Sequence, residues 1–261
     1  MTKAILIAAL SSTAVLAQMG PPPGPGFHDR FGGPGPFGPG GPGMRPGQVV
    51  TNAPYYATMT EQSVETLPNG GGTITHSVNG IVARDSAGRT YVQQTSTGGP
   101  FSSGTGLRTV IFLIDPVAGY AYTLYPDKNE AIQRPFKAAP AGEHRHTPPN
   151  DPNVNVSKST GGTYQNLTDI ETTTITRTIP ANTIGNSATL TSTNTILYSP
   201  SLQIVVSSSR HDPRFGDSTY ALNGILVGST NNVSFSVPSG YTIKTESWRG
   251  HNGPPPPPPQ E

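Results

Sequence analysis

The stretch "RTVIFLIDPVAGYAYTLYPDKNE", residues 108–130, decides how this chain folds. Its run Val110–Ile114 is built from residues that favour strands. Side chains on a strand alternate between two faces, so Val110, Phe112 and Ile114 share one side while Ile111 and Leu113 occupy the other. A sheet with one wet face alternates apolar and polar residues, and this strand does not; something must cover both of its sides. The run then stops at "DPVAG" (Asp115–Gly119). Proline sets φ near −65° for the first corner of a turn, aspartate accepts hydrogen bonds from amides that the turn leaves unpaired, and glycine takes the left-handed conformation where the next strand begins.

That corner recurs. "DSAG" (Asp85–Gly88) and "DPRFG" (Asp212–Gly216) carry the same chemistry, and "PDKNE" (Pro126–Glu130) places Asn129 in the glycine position. Four such reversals imply an antiparallel meander. The segments "TITHSVNGIVAR", "RTYVQQTS", "RTVIFLID", "GYAYTLY", "TTTITRTI", "SLQIVVSSSR" and "STYALNGIL" are rich in Thr, Val, Ile and Tyr and read as strands. No window between residues 49 and 246 holds apolar residues at helical spacing for three turns. The best candidate for one helical turn is "IPANTIGNS", residues 179–187, opened by Pro180. Where alternation is clean, Tyr91 falls with Gln93, and Tyr220 with Leu222 against Ala221 and Asn223. The predicted class is mainly β: a strongly curved antiparallel sheet or incomplete β-barrel, whose concave side is either filled by the protein or open to a ligand.

The 261 residues include 31 Gly and 29 Pro, no Cys, and a formal charge of +1. Glycine and proline crowd the ends. Residues 1–17, within "MTKAILIAALSSTAVLAQ", have the charged start, apolar run and small-residue finish of a secretory leader. Residues 18–48 read as a Pro/Gly-rich disordered linker without the strict period of collagen. Residues 247–261 read as a polyproline tail. One β domain is expected over 49–246, with an exposed loop at 137–162. The leader points to a periplasmic or secreted protein of the bacterial envelope. Without cysteines it must rely on core burial rather than disulfides. The near-zero charge predicts no nucleic-acid partner, and no transmembrane span is expected once the leader is removed.

Chemistry is thinly signalled. His211 beside Asp212 invites a catalytic reading, but alternation puts the two on opposite faces, and Asp212 has a turn to cap. "EHRH" sets His144 and His146 two apart, a ligand spacing with no third ligand nearby in the sequence. Asp169 and Glu171 could share a strand face at roughly 7 Å, a poor match to paired glycosidase carboxylates. No nucleophile elbow, zincin, phosphate-loop or strand-borne dinucleotide motif occurs. No cofactor, no metal and no catalytic residue are predicted.

The hairpin order "NGIVARDSAGRTYVQQ" (79–94), "IDPVAGYAYTLYPDKNEAI" (114–132), "LYSPSLQIVVSSSRHDPRFGDSTYALNGI" (197–225) and "FSVPSGYTI" (235–243) resembles the LolA-like, outer-membrane lipoprotein-sorting and RseB-type periplasmic proteins. The resemblance implies a half-barrel whose concave apolar face holds acyl chains. The helices that plug such half-barrels have no counterpart in the Pro-rich 137–162 region. Three functions follow from these residues: an exported non-enzymatic protein that binds a lipid or acyl chain, an interaction module for envelope polymers, and a hydrolase with a dispersed site that includes His211 and Asp169. For the first, the candidate lining residues are Phe112, Ile114, Tyr120, Tyr122 and Leu124, taken as sharing strand faces.

Overall fold

The computed structural model describes residues 47–67, 71–97, 106–139 and 151–246, all within the unit Gly33–Glu261. The strands are β1 (Tyr55–Thr66), β2 (Thr73–Arg84), β3 (Thr90–Thr97), β4 (Leu107–Asp115), β5 (Tyr120–Tyr125), β6 (Glu130–Pro135), β7 (Val154–Tyr164), β8 (Leu167–Ile179), β9 (Leu190–Ser199), β10 (Ile204–Asp212), β11 (Gly216–Val227) and β12 (Thr242–Thr245). Among the described residues they form one sheet in the order β12-β6-β5-β4-β3-β2-β1-β11-β10-β9-β8-β7. Two meanders therefore run outward from a central β1–β11 pair. Pairing is antiparallel throughout, apart from β12 beside β6. The mainly-β, curved and unclosed architecture expected from the sequence is what the chain forms.

The predicted corners are built as their residues require. The Asp115 carboxylate accepts the amides of Val117 and Ala118 at 2.9 Å, and Gly119 has φ +76°. Asp85 accepts the amides of Ala87 and Arg89, followed by Gly88 at φ +84°. Asn129 takes φ +51° in the fourth corner, one of the few non-glycine residues that do so readily.

Long-range contacts show that the sheet curls. The β7–β8 corner lies at least three strands from β11, about 14 Å in a flat sheet. Yet the Tyr164 hydroxyl and the Gln165 amide donate to the Leu222 carbonyl at 2.9 and 2.7 Å, and the Asn166 amide donates to Ile225 O. The Ile225 bond falls on a bulge where the β1–β11 register shifts opposite Ala57, and the Leu222 bonds fall just beside it. At the other extreme, Gly47 O accepts the Ala139 amide just past β6, while Gln48 donates to Gln203 in the β9–β10 corner. Adjacent residues thus bridge parts of the sheet that would lie roughly 35 Å apart if it were flat.

The inner face of the curl is packed. Tyr55, Ala57 and Met59 of β1, Val82 of β2, Val92 of β3, Ile204 and Val206 of β10, Tyr220 and Leu222 of β11, and Leu167 and Ile170 of β8 form one buried cluster, with Phe112 against it. β1 shows why it occupies the centre: its odd positions Tyr55, Ala57 and Met59 are buried while Tyr56, Thr58 and Thr60 are not.

The doubly apolar β4 is accounted for by a second cluster on the outer face. Leu113, Leu124 and Ala131 are buried there with Tyr91, Ile111 and Tyr122, and Val237 and Tyr241 lie over them. Those two belong to residues 228–241, which leave β11 and cross the outer face before pairing as β12. Val110, Phe112 and Ile114 face inward, Ile111 and Leu113 outward, and each side has its cover.

Two expectations need correction. Residues 154–162 of the anticipated loop are strand, the outer part of edge strand β7; the run "VNVSKSTGG" is too polar to announce itself, because an edge strand with little covering it buries little. Residues 179–187 form no helical turn. Asn182 (φ +64°) and Gly185 (φ +86°) break the helical path, and the Asn186 amide ties Pro180 O and Ala188 O together instead. The leader at 1–17, most of the 18–48 linker, residues 140–150 with His144 and His146, and the 247–261 tail lie outside the described residues.

Candidate functional site

Asp212 ends β10 and is 1% exposed. Its carboxylate accepts the Arg214 amide at 3.0 Å and the Arg214 guanidinium at 2.9 and 2.8 Å, with Arg210 Nη2 at 3.3 Å. Burial opposes its charge, but the bonds and charge of Arg214, joined by Arg210, outweigh burial and hold the carboxyl below the usual carboxylate range. His211 points elsewhere: its Nδ1 meets Asp217 Oδ1 at 2.5 Å across the strand pair, with both side chains more than half exposed. The loop is a braced corner with an exposed His–Asp hydrogen bond beside it. Replacing Asp212 by Ala is expected to lower unfolding free energy by about 1–2 kcal/mol at pH 7. Since the folded pKa is depressed, this stabilisation is present above the unfolded value near 4 and fades as pH falls through the lower folded value. Chemical denaturation of both proteins at pH 7 and pH 3 checks it: the gap should narrow in acid.

Asp169 has a similar task. It accepts the Ser201 amide at 2.7 Å and the Ser199 hydroxyl at 3.2 Å. Partial burial raises its pKa, but these bonds together leave it lowered. Glu171 pairs with Tyr198 on the neighbouring strand and is exposed. His211 and Asp169 sit at opposite ends of their strands, and the structure does not bring them together.

The five candidate lining residues divide between faces. Phe112 pairs with Thr123 and Ile114 with Ala121, whereas Tyr122 pairs with Leu113, Leu124 with Ile111 and Tyr120 with Asp115. Phe112 and Ile114 therefore face inward, where Phe112 joins the packed cluster and Ile114 is buried. Tyr120, Tyr122 and Leu124 face outward; Tyr120 is 39% exposed, with its ring 6.3 Å from that of Tyr122.

Leu124 also lines an apolar pocket that sequence reasoning missed. Between the outer face and the crossing segment lies a half-open space of about 210 Å³, bounded by Ile81, Tyr91, Ile111, Leu113, Leu124, Val233 and Pro238, with Ser234 and Ser236 at the crossing-segment side. Its floor comes from β2–β5 and its roof from residues 233–238. The double-sided β4 was the signal that something covers this face, but nothing in the sequence said that the cover leaves a gap. Among the described residues, no three His, Asp or Glu side chains gather as a metal site, and no helix is long and apolar enough to cross a membrane.

No protein-family model matches the sequence, and no curated protein does. Solved structures similar to it include an uncharacterized conserved protein from Thermus thermophilus, at 7% identity and TM-score 0.37 over 74% of this chain and 90% of that one. A second is the Pseudomonas aeruginosa MucA/MucB complex, at 10% identity and TM-score 0.34, over 78% of this chain and 62% of that one. A third is a putative outer membrane lipoprotein-sorting protein domain from Vibrio parahaemolyticus, at 7% identity and TM-score 0.24, over 69% and 87%. The likeness to lipoprotein-sorting and RseB-type proteins expected from the hairpin order is found again among them, as a likeness of strand layout. All three TM-scores lie below 0.5, so the functional reading rests on this chain's own residues.

Proposed function

We propose that this chain is an exported, non-enzymatic binding module that takes the end of an apolar chain, such as an acyl tail, in the outer-face pocket. The observation that carries this reading is the half-open 210 Å³ space walled by Ile81, Tyr91, Ile111, Leu113, Leu124, Val233 and Pro238. A site of this kind, apolar with few polar groups, suits a ligand recognised by burial rather than by directed bonds. Export is supported by the leader-like residues 1–17. The non-enzymatic reading is supported by the work that Asp212 and Asp169 already do in corners.

Size sets the ligand's scale. An apolar cavity of about 150 Å³ takes benzene, so this space suits roughly eight carbons. At about 0.8 kcal/mol per buried CH₂ that is about 6 kcal/mol, a dissociation constant in the tens of micromolar before association costs. The inner face offers less: its middle rows are filled by Val92, Val82, Ala57, Met59, Leu222 and Val206.

Titration of the full chain with a fluorescent medium-chain fatty acid is expected to saturate at one equivalent. Ser236→Trp, which puts an indole at the pocket wall from an exposed position, is expected to weaken binding about tenfold without changing the melting temperature. Absence of saturable binding to the unsubstituted chain would count against the reading.

A further inference from the structure

Glu61 is a carboxylic acid in an unexpected place. It lies in the middle of the central strand β1 and follows the buried parity of Tyr55, Ala57 and Met59, so it points to the inner face. Its cross-strand partners are Val78 on β2 and Tyr220 on β11, which are 8% and 4% exposed. One carboxylate oxygen, Oε2, is buried without a hydrogen-bond partner. An ionised carboxylate needs its oxygens satisfied, whereas a protonated one loses far less by burial.

The titratable groups sharing this face around it do not rescue the charge. Tyr220 lies directly opposite, with Tyr55 and Tyr164 near that hydroxyl, and phenols are neutral at ordinary pH. Along the same row, beyond Val78 and Ser96, stands Arg108 on β4, already placed over the Tyr125 ring. One pair towards the rim, His76 sits opposite Ser63 and is exposed. On the far side, beyond Ser218, Arg210 is held by Asp212. Burial accordingly raises the Glu61 pKa to about 7.

We propose that Glu61 is a proton-operated control on the curl of the sheet: protonated, it lets β1, β2 and β11 close over the inner face, and ionised, it loosens that packing. The direction follows from linkage. The unfolded chain releases this proton near pH 4.5 and the folded chain only near 7, so stability falls as pH rises between those values and levels off above them. A carboxylate drawn into an ion pair would give the opposite slope. The control is independent of the outer-face pocket, which lies on the other side of the sheet.

The test compares melting temperatures of the full chain and Glu61→Gln at pH 4.5 and pH 8. The amide has the shape of the protonated acid and cannot ionise. Asp212 and Asp169 titrate alike in both proteins, so their effect cancels in the difference. Glu61→Gln is expected to melt about 4 °C or more above the unsubstituted chain at pH 8 and within about 1 °C of it at pH 4.5. Should the amide fail to fold, Glu61→Leu carries the same comparison. Equal differences at the two pH values, a destabilised variant at pH 8, or failure of both variants to fold would each overturn the proposal.

Discussion

Gly80→Ala is expected to lower the stability of the protein by about 3 kcal/mol, a fall in melting temperature of roughly 6–12 °C for a domain of this size. Gly80 lies in β2 between Met59 of β1 and Gln94 of β3, near the middle of the sheet. A methyl group there would stand 1.9 Å from the Gln93 carbonyl oxygen and 3.0 Å from its carbon. Those are backbone atoms in a paired strand, so relief requires moving β3 rather than turning a side chain. That is overpacking at its most costly, because the neighbours are fixed by their own ladder. Gly224→Ala separates this from the general effect of removing a glycine: Gly224 has φ +59° with nothing within 4 Å of an added Cβ, so only backbone strain of about 1 kcal/mol is expected. Thermal melts of both variants check the ranking, and equal losses would show that the close approach of β2 and β3 is not there in solution.

Arg84→Met is expected to cost a similar amount, about 3 kcal/mol. Arg84 ends β2 and is 0% exposed. Nε and Nη2 donate to Ala53 O at 3.0 and 2.7 Å, Nη2 also donates to Leu202 O, and the guanidinium lies 5.0 Å from the centre of the Tyr55 ring. It thereby ties the N-terminal segment and the β9–β10 corner to the centre of the sheet. Two effects compete on substitution. Methionine removes a buried charge whose Nη1 has no partner, which favours the variant. It also strands the Ala53 and Leu202 carbonyls, at about 1–3 kcal/mol each, and drops the stacking on Tyr55. The carbonyls belong to chain segments that the surrounding corners hold in place, so they cannot turn to water and their loss should dominate. Urea unfolding at pH 7 measures the sum. A variant as stable as the parent would mean that relieving the buried charge outweighs the ties.

Much of this architecture could be read from residues whose chemistry is local. The Asp–Gly corners were visible because each carries its own capping group and its own positive φ. The cover on both faces of β4 was visible because Val110–Ile114 leaves no polar side. β1 escaped attention although its odd positions alternate cleanly, since Thr58, Thr60, Glu61 and Gln62 dilute its apolar content. β12 pairs in parallel with β6, a long-range choice with no mark in "TIKT". The split of the lining residues is a matter of register. Four residues separate Asp115 from Tyr120, so partners across that corner sum to an odd number. Even residues of β4 therefore share a face with odd residues of β5, and Phe112 and Ile114 cannot stand with Tyr120, Tyr122 and Leu124. Alternation fixes the faces within each strand; only the corner length joins one strand's faces to the next.

The pocket reading turns on which face an apolar chain enters, and a spin-labelled medium-chain fatty acid added to methyl-labelled full chain reports that directly. Methyl signals of Ile81, Ile111, Leu113, Leu124 and Val233 are expected to bleach first, while Val82, Val92, Ile204 and Val206 keep their intensity. Bleaching of the second set ahead of the first would place the ligand inside the curl and contradict the account.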